Sequence, residues 1–186
     1  VSVLHQRMVG VEALLRWRHP EHGLMDPSRF IGLAEEAGFI STLSDWVLAE
    51  ACRQLACWHA AGHTGLRMSV NLSPREFERD DIIERVTANL SVHQLPAGTL
   101  EVEITENILL QDAERVIDKV RTLRRFGVHV AIDDFGTRYS SLNYLKRFPV
   151  SSIKIDQSFI HSLGADAGGA SIVRAFVGIA EGFGLH

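Results

Sequence analysis

The sequence has few of the features that mark secreted, membrane or polyanion-binding proteins. Only two of its 186 residues are cysteines, and both lie in one predicted helix, so buried free thiols are expected at Cys52 and Cys57 rather than a disulfide framework. No apolar run approaches the roughly 20 residues of a membrane span, and no secretory signal opens the chain. The net charge of −4 offers no broad basic surface for a DNA or RNA duplex. These absences favour a cytoplasmic globular domain.

The sequence does contain five short apolar runs, separated by segments with helical periodicity. With 46% hydrophobic and 23% charged residues, the chain can form a substantial core. Side chains alternate across a β-strand, so each run predicts a strand with two distinct faces. The five predicted strands are Val9–Arg16, Met68–Ser73, Leu100–Thr105, Val128–Asp133 and Ser152–Asp156.

One face of every predicted strand is apolar, and the opposite face is polar. Strands that lie between helices in a parallel sheet are normally apolar on both faces, because both faces are buried. Carboxylates, amides and lysines on such a face cost free energy unless they pair or bind a metal ion. The sequence therefore predicts an active site on this face. Its members are Glu12, Arg16, Asn71, Glu101, Glu103, Asp133, Lys154 and Asp156.

Helical patterns fill the segments between the strands, apart from a turn-rich stretch at 19–23. Strands that alternate with helices imply right-handed crossovers and a parallel sheet. In closed α/β barrels the active site lies at the carboxyl ends of the strands, where these polar residues cluster. No linker or low-complexity segment divides the chain, which predicts one domain. The predicted helices cover 26–37, Ser41–Ala61, 74–90, 112–126, 142–147 and the residues from Gln157 onward, with a break at Gly164–Gly169.

Most of the polar groups also have an interpretation without catalysis. Glu12 and Arg16 would then form an ion pair along one strand. Asn71 would close a turn, and Glu106 would begin a helix, where the helix dipole favours a carboxylate. The Lys154-Ile155-Asp156 segment would hold an ion pair at a solvent-exposed edge. All of these interpretations would have to hold at once, which favours a functional site.

Asp133 and Asp134 are the pair that is hardest to explain without a bound cation. Two adjacent carboxylates at the end of a strand repel each other unless a cation lies between them. The glycine in the following Phe135-Gly136 pair indicates a loop at this point. The pair therefore indicates a cation site.

Five motifs follow one another along nearly the whole chain. They are Glu12-Ala13-Leu14-Leu15-Arg16-Trp17, Asn71-Leu72-Ser73, Glu103-Ile104-Thr105-Glu106, Asp133-Asp134-Phe135-Gly136-Thr137 with Tyr139-Ser140-Ser141-Leu142, and Lys154-Ile155-Asp156. In this order they resemble the motifs of EAL domains, the bacterial phosphodiesterases of the second messenger cyclic di-GMP. The resemblance implies a TIM-like (β/α) barrel that hydrolyses cyclic di-GMP to linear 5′-pGpG with Mg²⁺ or Mn²⁺ and so lowers the messenger in bacterial signalling.

The resemblance also implies a two-metal site. Glu12, Asn71, Glu103 and Asp133 would hold one ion, and Asp133 with Asp134 would bridge toward a second. Carboxylate and amide oxygens are the ligands that Mg²⁺ and Mn²⁺ prefer, and Ca²⁺ is expected to inhibit. Two metals can generate a hydroxide nucleophile and stabilise the attacking and leaving oxygens of an in-line displacement.

Further roles follow from the same resemblance. Lys154, acting with Glu12 and Asp134, would orient the water or neutralise developing charge. The substrate would contact Leu15, Arg16 and Asp156, with Arg16 placed on a phosphate. Glu106 would steady the loop after Asp134. That loop and the following helix would contribute to a homodimer, and sensor or diguanylate-cyclase domains would accompany this domain in the full-length protein.

Two departures from the family pattern bear on these expectations. The family's loop has glycine where this chain has Arg138, which lacks glycine's freedom at positive φ. The barrel also predicts a first strand before Val1 and two last strands after His186, so this chain would supply five of eight strands. Glu181 is not the catalytic glutamate of those last strands, because it falls on the preceding predicted helix. A polypeptide limited to these residues is expected to be inactive.

Two other functions stay open at this point. A catalytically inactive EAL-type receptor would bind cyclic di-GMP and signal by protein contact, but such receptors usually lack the metal ligands that this sequence retains. An unrelated barrel lyase or aldolase would use Lys154 as a Schiff base. The carboxylate-rich set of candidate ligands favours the phosphodiesterase.

Overall fold

The structure, a computed structural model, is built on one parallel sheet of five strands. It describes residues 1–2, 6–110, 112–137, 142–161 and 167–185. The strands are β1 Gly10–Ala13, β2 Trp17–His19, β3 Gly23–Met25, β4 Arg67–Leu72, β5 Leu100–Thr105, β6 His129–Phe135 and β7 Ser152–Ile155. The large sheet has the order β1–β4–β5–β6–β7, and all of its neighbouring strands are parallel. The curled sheet and its helices form half of an α/β barrel, which confirms the predicted fold class.

The hydrophobic core lies between the apolar face of this sheet and the helices. On the central strands Val70, Val102, Val130 and Ile132 are each at most 1% exposed. They pack in one cluster with residues of the helices that follow or precede their strands. Because side chains alternate along a strand, burying this face leaves the polar set on the opposite, inner face of the curled sheet.

The helices lie near the predicted positions. They are α1 Ile31–Glu36, α2 Ile40–Ala60, α3 Pro74–Glu78, α4 Ile82–Val92, α5 Ala113–Arg125, α6 Leu142–Arg147, α7 Gln157–His161 and α8 Ala167–Phe183. Both cysteines of α2 are free, as predicted, but only Cys52 is buried, whereas Cys57 is exposed. Within the described residues, no helix is both long enough and apolar enough to cross a membrane.

The predicted single helix over 74–90 is wrong, because the chain forms two helices there. The first begins at a capping box: the Glu76 amide donates to the Ser73 hydroxyl at 3.3 Å, and the Ser73 amide donates to the Glu76 carboxylate at 3.2 Å. It ends at Glu78, and Arg79 is extended with a ψ of 142°. The cap therefore begins a helix only five residues long, directly after β4.

A lysine from another helix satisfies the end of α3. The ammonium of Lys119, on α5, donates to the main-chain carbonyls of Phe77, Glu78 and Arg79 at 2.8, 2.8 and 2.7 Å. These carbonyls lie at the end of the helix, where the last turn lacks partners within the helix. The contact spans about 40 residues of sequence, so local periodicity does not show it.

The predicted strand Val9–Arg16 is too long at its carboxyl end. β1 ends at Ala13, and the residues after it lead into an antiparallel hairpin formed by β2 and β3. His19 Nδ1 accepts hydrogen bonds from the amides of Glu21 and His22 at 3.1 and 3.2 Å, which closes the turn that the sequence analysis predicted. The sequence analysis did not predict the two short strands on either side of it.

The last third of the chain differs from the predictions at element ends. β6 continues two residues past the predicted end at Asp133. Arg138 lies outside the described residues, and so do residues 164–166 of the predicted glycine-rich break. α8 begins at Ala167, inside that predicted break, and Glu181 lies on this helix as predicted.

Candidate active site

Five polar side chains meet on the inner face near the carboxyl ends of the five parallel strands. Each strand supplies one of them: Glu12 from β1, Asn71 from β4, Glu103 from β5, Asp133 from β6 and Lys154 from β7. Strand register places Asn71 beside Glu103. The face that the sequence predicts as polar is thus the face on which these residues converge.

The ammonium of Lys154 lies at the centre of this group. Its distance is 2.6 Å to Glu103 Oε2, 3.1 Å to Glu12 Oε2 and 3.6 Å to Asp133 Oδ1. The side-chain amide of Asn71 donates to Glu12 Oε1 at 2.8 Å. Lys154 therefore pairs across the inner face, and the alternative of a pair with Asp156 at an exposed edge is wrong.

The charges at this centre do not balance. Three carboxylates face one ammonium, and Glu103 is only 2% exposed. Burial raises the pKa of Glu103 to about 7, against the opposing effect of Lys154 and with a contribution from Glu12 and Asp133. Burial lowers the pKa of Lys154, but its hydrogen bond to Glu103 and the nearby carboxylates outweigh this and raise it well above its usual value. Lys154 is therefore a cation at neutral pH, and the centre retains excess negative charge.

Asp134 and Asp156 form a second acidic position beside the first. Their carboxyl groups lie within hydrogen-bonding reach of each other. Burial raises the pKa of Asp134, and the charges of Asp133 and Asp156 raise it further. Hydrogen bonds from the hydroxyl and amide of Ser158 lower the pKa of Asp156. The backbone of Asp134 has a φ of 54°, in the left-handed region that aspartate enters more readily than most residues.

Glu106 holds the chain that follows Asp134. Its side chain is 3% exposed, and its Oε2 accepts a hydrogen bond from the Gly136 amide at 3.2 Å. Gly136 has a φ of 96°, and a Cβ there would come within 2.5 Å of the Phe176 ring, so only glycine fits. Glu106 also begins a 3₁₀ helix, Glu106–Leu110, directly after β5.

Arg16 lies outside the strand that the sequence predicts for it. Its Nε pairs with Asp26 Oδ1 at 3.1 Å, and its Nη1 donates to the Leu15 carbonyl at 2.7 Å. The alternative of an ion pair between Glu12 and Arg16 along one strand is therefore wrong. A cavity of about 260 Å³ opens beside Leu15 and Arg16, and Glu12 and Trp46 are also in its lining.

The donor set suits a hard divalent cation, but the side chains as arranged hold Lys154 instead. Among the residues that the structure describes, no three His, Cys, Asp or Glu side chains are placed to hold a metal ion as they stand. A cation would have to displace the ammonium from Glu12, Glu103 and Asp133, which already converge on one positive charge. Carboxylate and amide oxygens are the ligands that Mg²⁺ and Mn²⁺ prefer, so the residues fit such ions in chemistry.

A second polar layer lies beneath this centre, and the sequence analysis missed most of it. Glu101 Oε1 accepts a hydrogen bond from Ser69 Oγ at 2.9 Å, and its Oε2 accepts one from Ser152 Oγ at 3.0 Å. Strand alternation puts Glu101 on the polar face, but the sequence alone indicates no role for it. Both serines stand two residues before a site residue, and this alternation is the signal that would have found them.

Comparison with known protein families gives a match over the whole chain. The model of the EAL domain family matches residues 1–186. Over 178 residues the chain is 44% identical to MucR of Pseudomonas aeruginosa, a bifunctional diguanylate cyclase/cyclic di-GMP phosphodiesterase, with 96% of this chain and 26% of MucR covered. It is also 44% identical to the cyclic di-GMP phosphodiesterase NbdA of the same organism, over 92% of this chain and 22% of NbdA. The chain spans about a quarter of the length of the curated relatives it matches.

Solved structures share the fold closely. The PaMucR phosphodiesterase in complex with c-di-GMP matches with a TM-score of 0.92 and 44% identity, covering 96% of this chain and 72% of that chain. The EAL enzyme Bd1971 with cAMP and cyclic di-GMP bound gives a TM-score of 0.91 at 30% identity, over 98% of this chain and 51% of the other. The half-barrel described here therefore has the same architecture as the matched part of these EAL structures.

Proposed function

Because this chain belongs to the EAL domain family, we propose that it hydrolyses cyclic di-GMP to linear 5′-pGpG in a metal-dependent reaction. One observation carries the proposal: Glu12, Glu103 and Asp133 converge on a single positive charge at the carboxyl ends of the strands, with Asn71 bonded to Glu12. The names of MucR and NbdA as phosphodiesterases support it.

Two Mg²⁺ or Mn²⁺ ions complete the proposed site. Glu12, Asn71, Glu103 and Asp133 would hold the first, and Asp133 with Asp134 would hold the second. Bound ions of this kind lower the pKa of water and neutralise charge on phosphate oxygens. Ca²⁺, which takes more ligands at longer distances, is proposed to bind without supporting efficient turnover.

Lys154 supplies a fixed positive charge beside the reacting phosphate. In the proposed reaction the oxygen of water bonds to phosphorus, the bond from phosphorus to the ribose 3′-oxygen breaks, and a proton passes to the leaving oxygen. Negative charge grows on the phosphate oxygens during this displacement. An ammonium already held by Glu103 and Glu12 stabilises that charge with little reorganisation.

Arg16, Leu15 and Asp156 are proposed to contact the substrate. Arg16 is partly exposed beside the cavity next to Glu12, and Asp26 fixes its guanidinium. A guanidinium in this position suits a phosphate of the dinucleotide. Asp156 is half-buried and lies against Asp134, on the side of the site away from Arg16 along the sheet.

Two alternatives are less well supported. A Schiff-base lyase needs a neutral lysine as nucleophile, whereas the carboxylates raise the pKa of Lys154. A receptor without activity has no use for the complete set of candidate ligands. Binding of cyclic di-GMP without turnover would nevertheless favour the receptor, and the experiment below distinguishes the two.

The assembly around this domain is also part of the proposal. MucR is named as bifunctional, with a diguanylate cyclase beside its phosphodiesterase, which supports further domains in the protein that contains this chain. The expected homodimer would use the loop and helix after Asp134, of which residues 138–141 lie outside the described part of the chain. The flanking barrel strands and a cytoplasmic location remain predictions.

The decisive experiment incubates the intact protein with cyclic di-GMP and Mg²⁺ and follows pGpG by chromatography. Parent protein should form pGpG, and Glu12→Gln should lose nearly all turnover, because it removes a ligand and a partner of Lys154. Glu114→Gln, which changes an exposed carboxylate on α5, is the matched control and should leave turnover unchanged. If the parent binds cyclic di-GMP in Mg²⁺ without forming pGpG, the proposal is wrong and the receptor function replaces it.

A further inference from the structure

The second polar layer repeats the arrangement of the site one step lower on three strands. Each of its members stands two residues before a site residue, and therefore on the same face. The pairs are Ser69 before Asn71 on β4, Glu101 before Glu103 on β5, and Ser152 before Lys154 on β7. Contacts in the lower layer thus link strands that also present the upper one.

Glu101 joins strands that are not neighbours. Its strand, β5, pairs with β4 on one side and β6 on the other, and β7 lies beyond β6. Glu101 reaches Ser152 across β6, where Ala131 is the register partner of Ser152 and is fully buried. Lys154 likewise reaches Glu103 across β6.

Main-chain pairing between β6 and β7 becomes irregular just beyond this contact. The register between β6 and β7 shifts after Ile132 and Ile153, and pairing resumes only at Phe135 and Ile155. Lys154 lies inside this irregular stretch, so the backbone ladder does not fix its position fully. The hydrogen bond between Glu101 and Ser152 comes immediately before the stretch and is a side-chain link between β5 and β7 at this point.

We propose that Glu101 is a positioning residue that sets where Lys154 and Asn71 meet the carboxylates of the site. One carboxylate oxygen holds Ser69 and the other holds Ser152, at 2.9 and 3.0 Å. The inference rests on the function proposed above, because it concerns the same site. Glu101 itself touches neither the substrate nor an ion in this scheme.

Substitutions at Glu101 separate positioning from charge. Glutamine keeps both contacts, because its oxygen accepts from one serine hydroxyl and its NH₂ group donates to the other. Alanine removes both contacts. A positioning role therefore predicts that Glu101→Gln retains function and Glu101→Ala does not.

The test measures Mn²⁺ binding by calorimetry, together with kcat and KM, on the intact protein well below its melting temperature. Glu101→Ala should weaken Mn²⁺ binding and lower kcat by about tenfold or more, with KM changed less than about twofold, in the range seen when outer partners of metal ligands are removed. Glu101→Gln should stay within about threefold of the parent in both measurements. Glu114→Ala, which removes an exposed carboxylate, serves as the control.

Several results would overturn the inference. If Glu101→Ala melts at a lower temperature but keeps the parent's Mn²⁺ affinity and kcat, Glu101 is only structural. If Glu101→Gln is as impaired as Glu101→Ala, the charge matters and the position does not. Should Glu101→Ala fail to fold, Ser152→Ala removes one contact with little loss of volume, and a parent-like Mn²⁺ affinity in that variant contradicts the inference. A parent that binds Mn²⁺ but forms no pGpG would reject the proposed function alone, because the Mn²⁺ measurement still tests the positioning.

Discussion

Lys119 is buried and Lys154 is partly buried, and different kinds of group surround their two ammonium groups. The ammonium of Lys154 faces the carboxylates of Glu12, Glu103 and Asp133 on the inner face of the sheet. The ammonium of Lys119 lies between α3 and α5, where three main-chain carbonyls accept its hydrogen bonds. Lys119 is the more buried of the two, at 8% exposure, whereas the side chain of Lys154 is 33% exposed.

The two surroundings shift the lysine pKa values in opposite directions. Burial lowers the pKa of Lys119, and the nearby Arg115 lowers it further. For Lys154 the effect of burial is also to lower the pKa, but carboxylate partners reverse it. Main-chain carbonyls accept the hydrogen bonds of Lys119 without adding net charge. The three carboxylates around Lys154 leave excess negative charge, which another cation can neutralise. A buried lysine thus indicates a reactive site only when the charge around it is unbalanced.

Replacing Lys154 gives the largest expected effect. Lys154→Met should lower kcat by about 10²- to 10⁴-fold, because a fixed charge near the reacting phosphate is lost. Mn²⁺ binding should persist or tighten, since the ammonium no longer competes for the three carboxylates. Single-turnover kinetics measures the loss of rate, and calorimetry measures Mn²⁺ binding. Near-normal turnover, or a collapse of Mn²⁺ binding, would contradict the assignment of Lys154 to the chemical step.

The pH dependence of stability sharpens the comparison at Glu103. Its pKa is about 7 in the folded chain against an ordinary value of 4.5, so the native state binds a proton more readily than the unfolded state. The stabilisation from this group is fully present below pH 4.5 and is lost as the pH rises through about 7. Without divalent ions, the parent should lose up to about 3 kcal/mol relative to Glu103→Gln between pH 4.5 and pH 8.

Urea unfolding with a chelator present measures, at each pH, the difference in the free energy of unfolding between the parent and Glu103→Gln. Adding Mg²⁺ should shrink the difference at pH 8, because a cation bound by the parent favours the ionised carboxylate. If the parent instead loses stability relative to Glu103→Gln toward low pH, then Lys154, rather than burial, controls the pKa of Glu103.

Replacing Lys119 should affect stability and leave catalysis alone. Lys119→Met removes the donor from three carbonyls at the end of α3, and we expect the free energy of unfolding to fall by about 2 kcal/mol. Lys146→Met, at an exposed position on α6, is the control and should change stability by less than about 0.5 kcal/mol. Urea unfolding measures both variants. If Lys119→Met kept the stability of the parent but had a reduced kcat, the distinction between a structural Lys119 and a catalytic Lys154 would be wrong.

The surroundings of Lys154 could be predicted from the sequence, whereas those of Lys119 could not. Glu12, Asn71, Glu103, Asp133 and Lys154 could be placed on one face because strand alternation is a local property with a period of two. The parallel order of the strands then brings their carboxyl ends to one edge of the sheet. These two rules were sufficient to bring the five side chains together.

Other features depend on contacts that no local pattern contains. Lys119 reaches α3 across about 40 residues, and this contact goes with the break between α3 and α4 inside an otherwise continuous helical pattern. The β2–β3 hairpin has strands of only three residues, too short for alternation to show. Arg16 was assigned to a strand because apolar residues continue to Leu15, but the sheet ends at Ala13.

The smallest expected effect comes from a charge pair that lies in water. Arg147 on α6 pairs with Glu114 on α5, and their side chains are 52% and 70% exposed. Exposed pairs gain little because water screens them, so Glu114→Ala should change the free energy of unfolding by less than about 0.5 kcal/mol and leave kcat unchanged. Urea unfolding at low and high salt checks this, with any small difference vanishing in high salt. If Glu114→Ala lowered the free energy of unfolding as much as Lys119→Met, exposed charges would also stabilise this fold. Burial would then not explain why the two lysines matter more than charges on the surface.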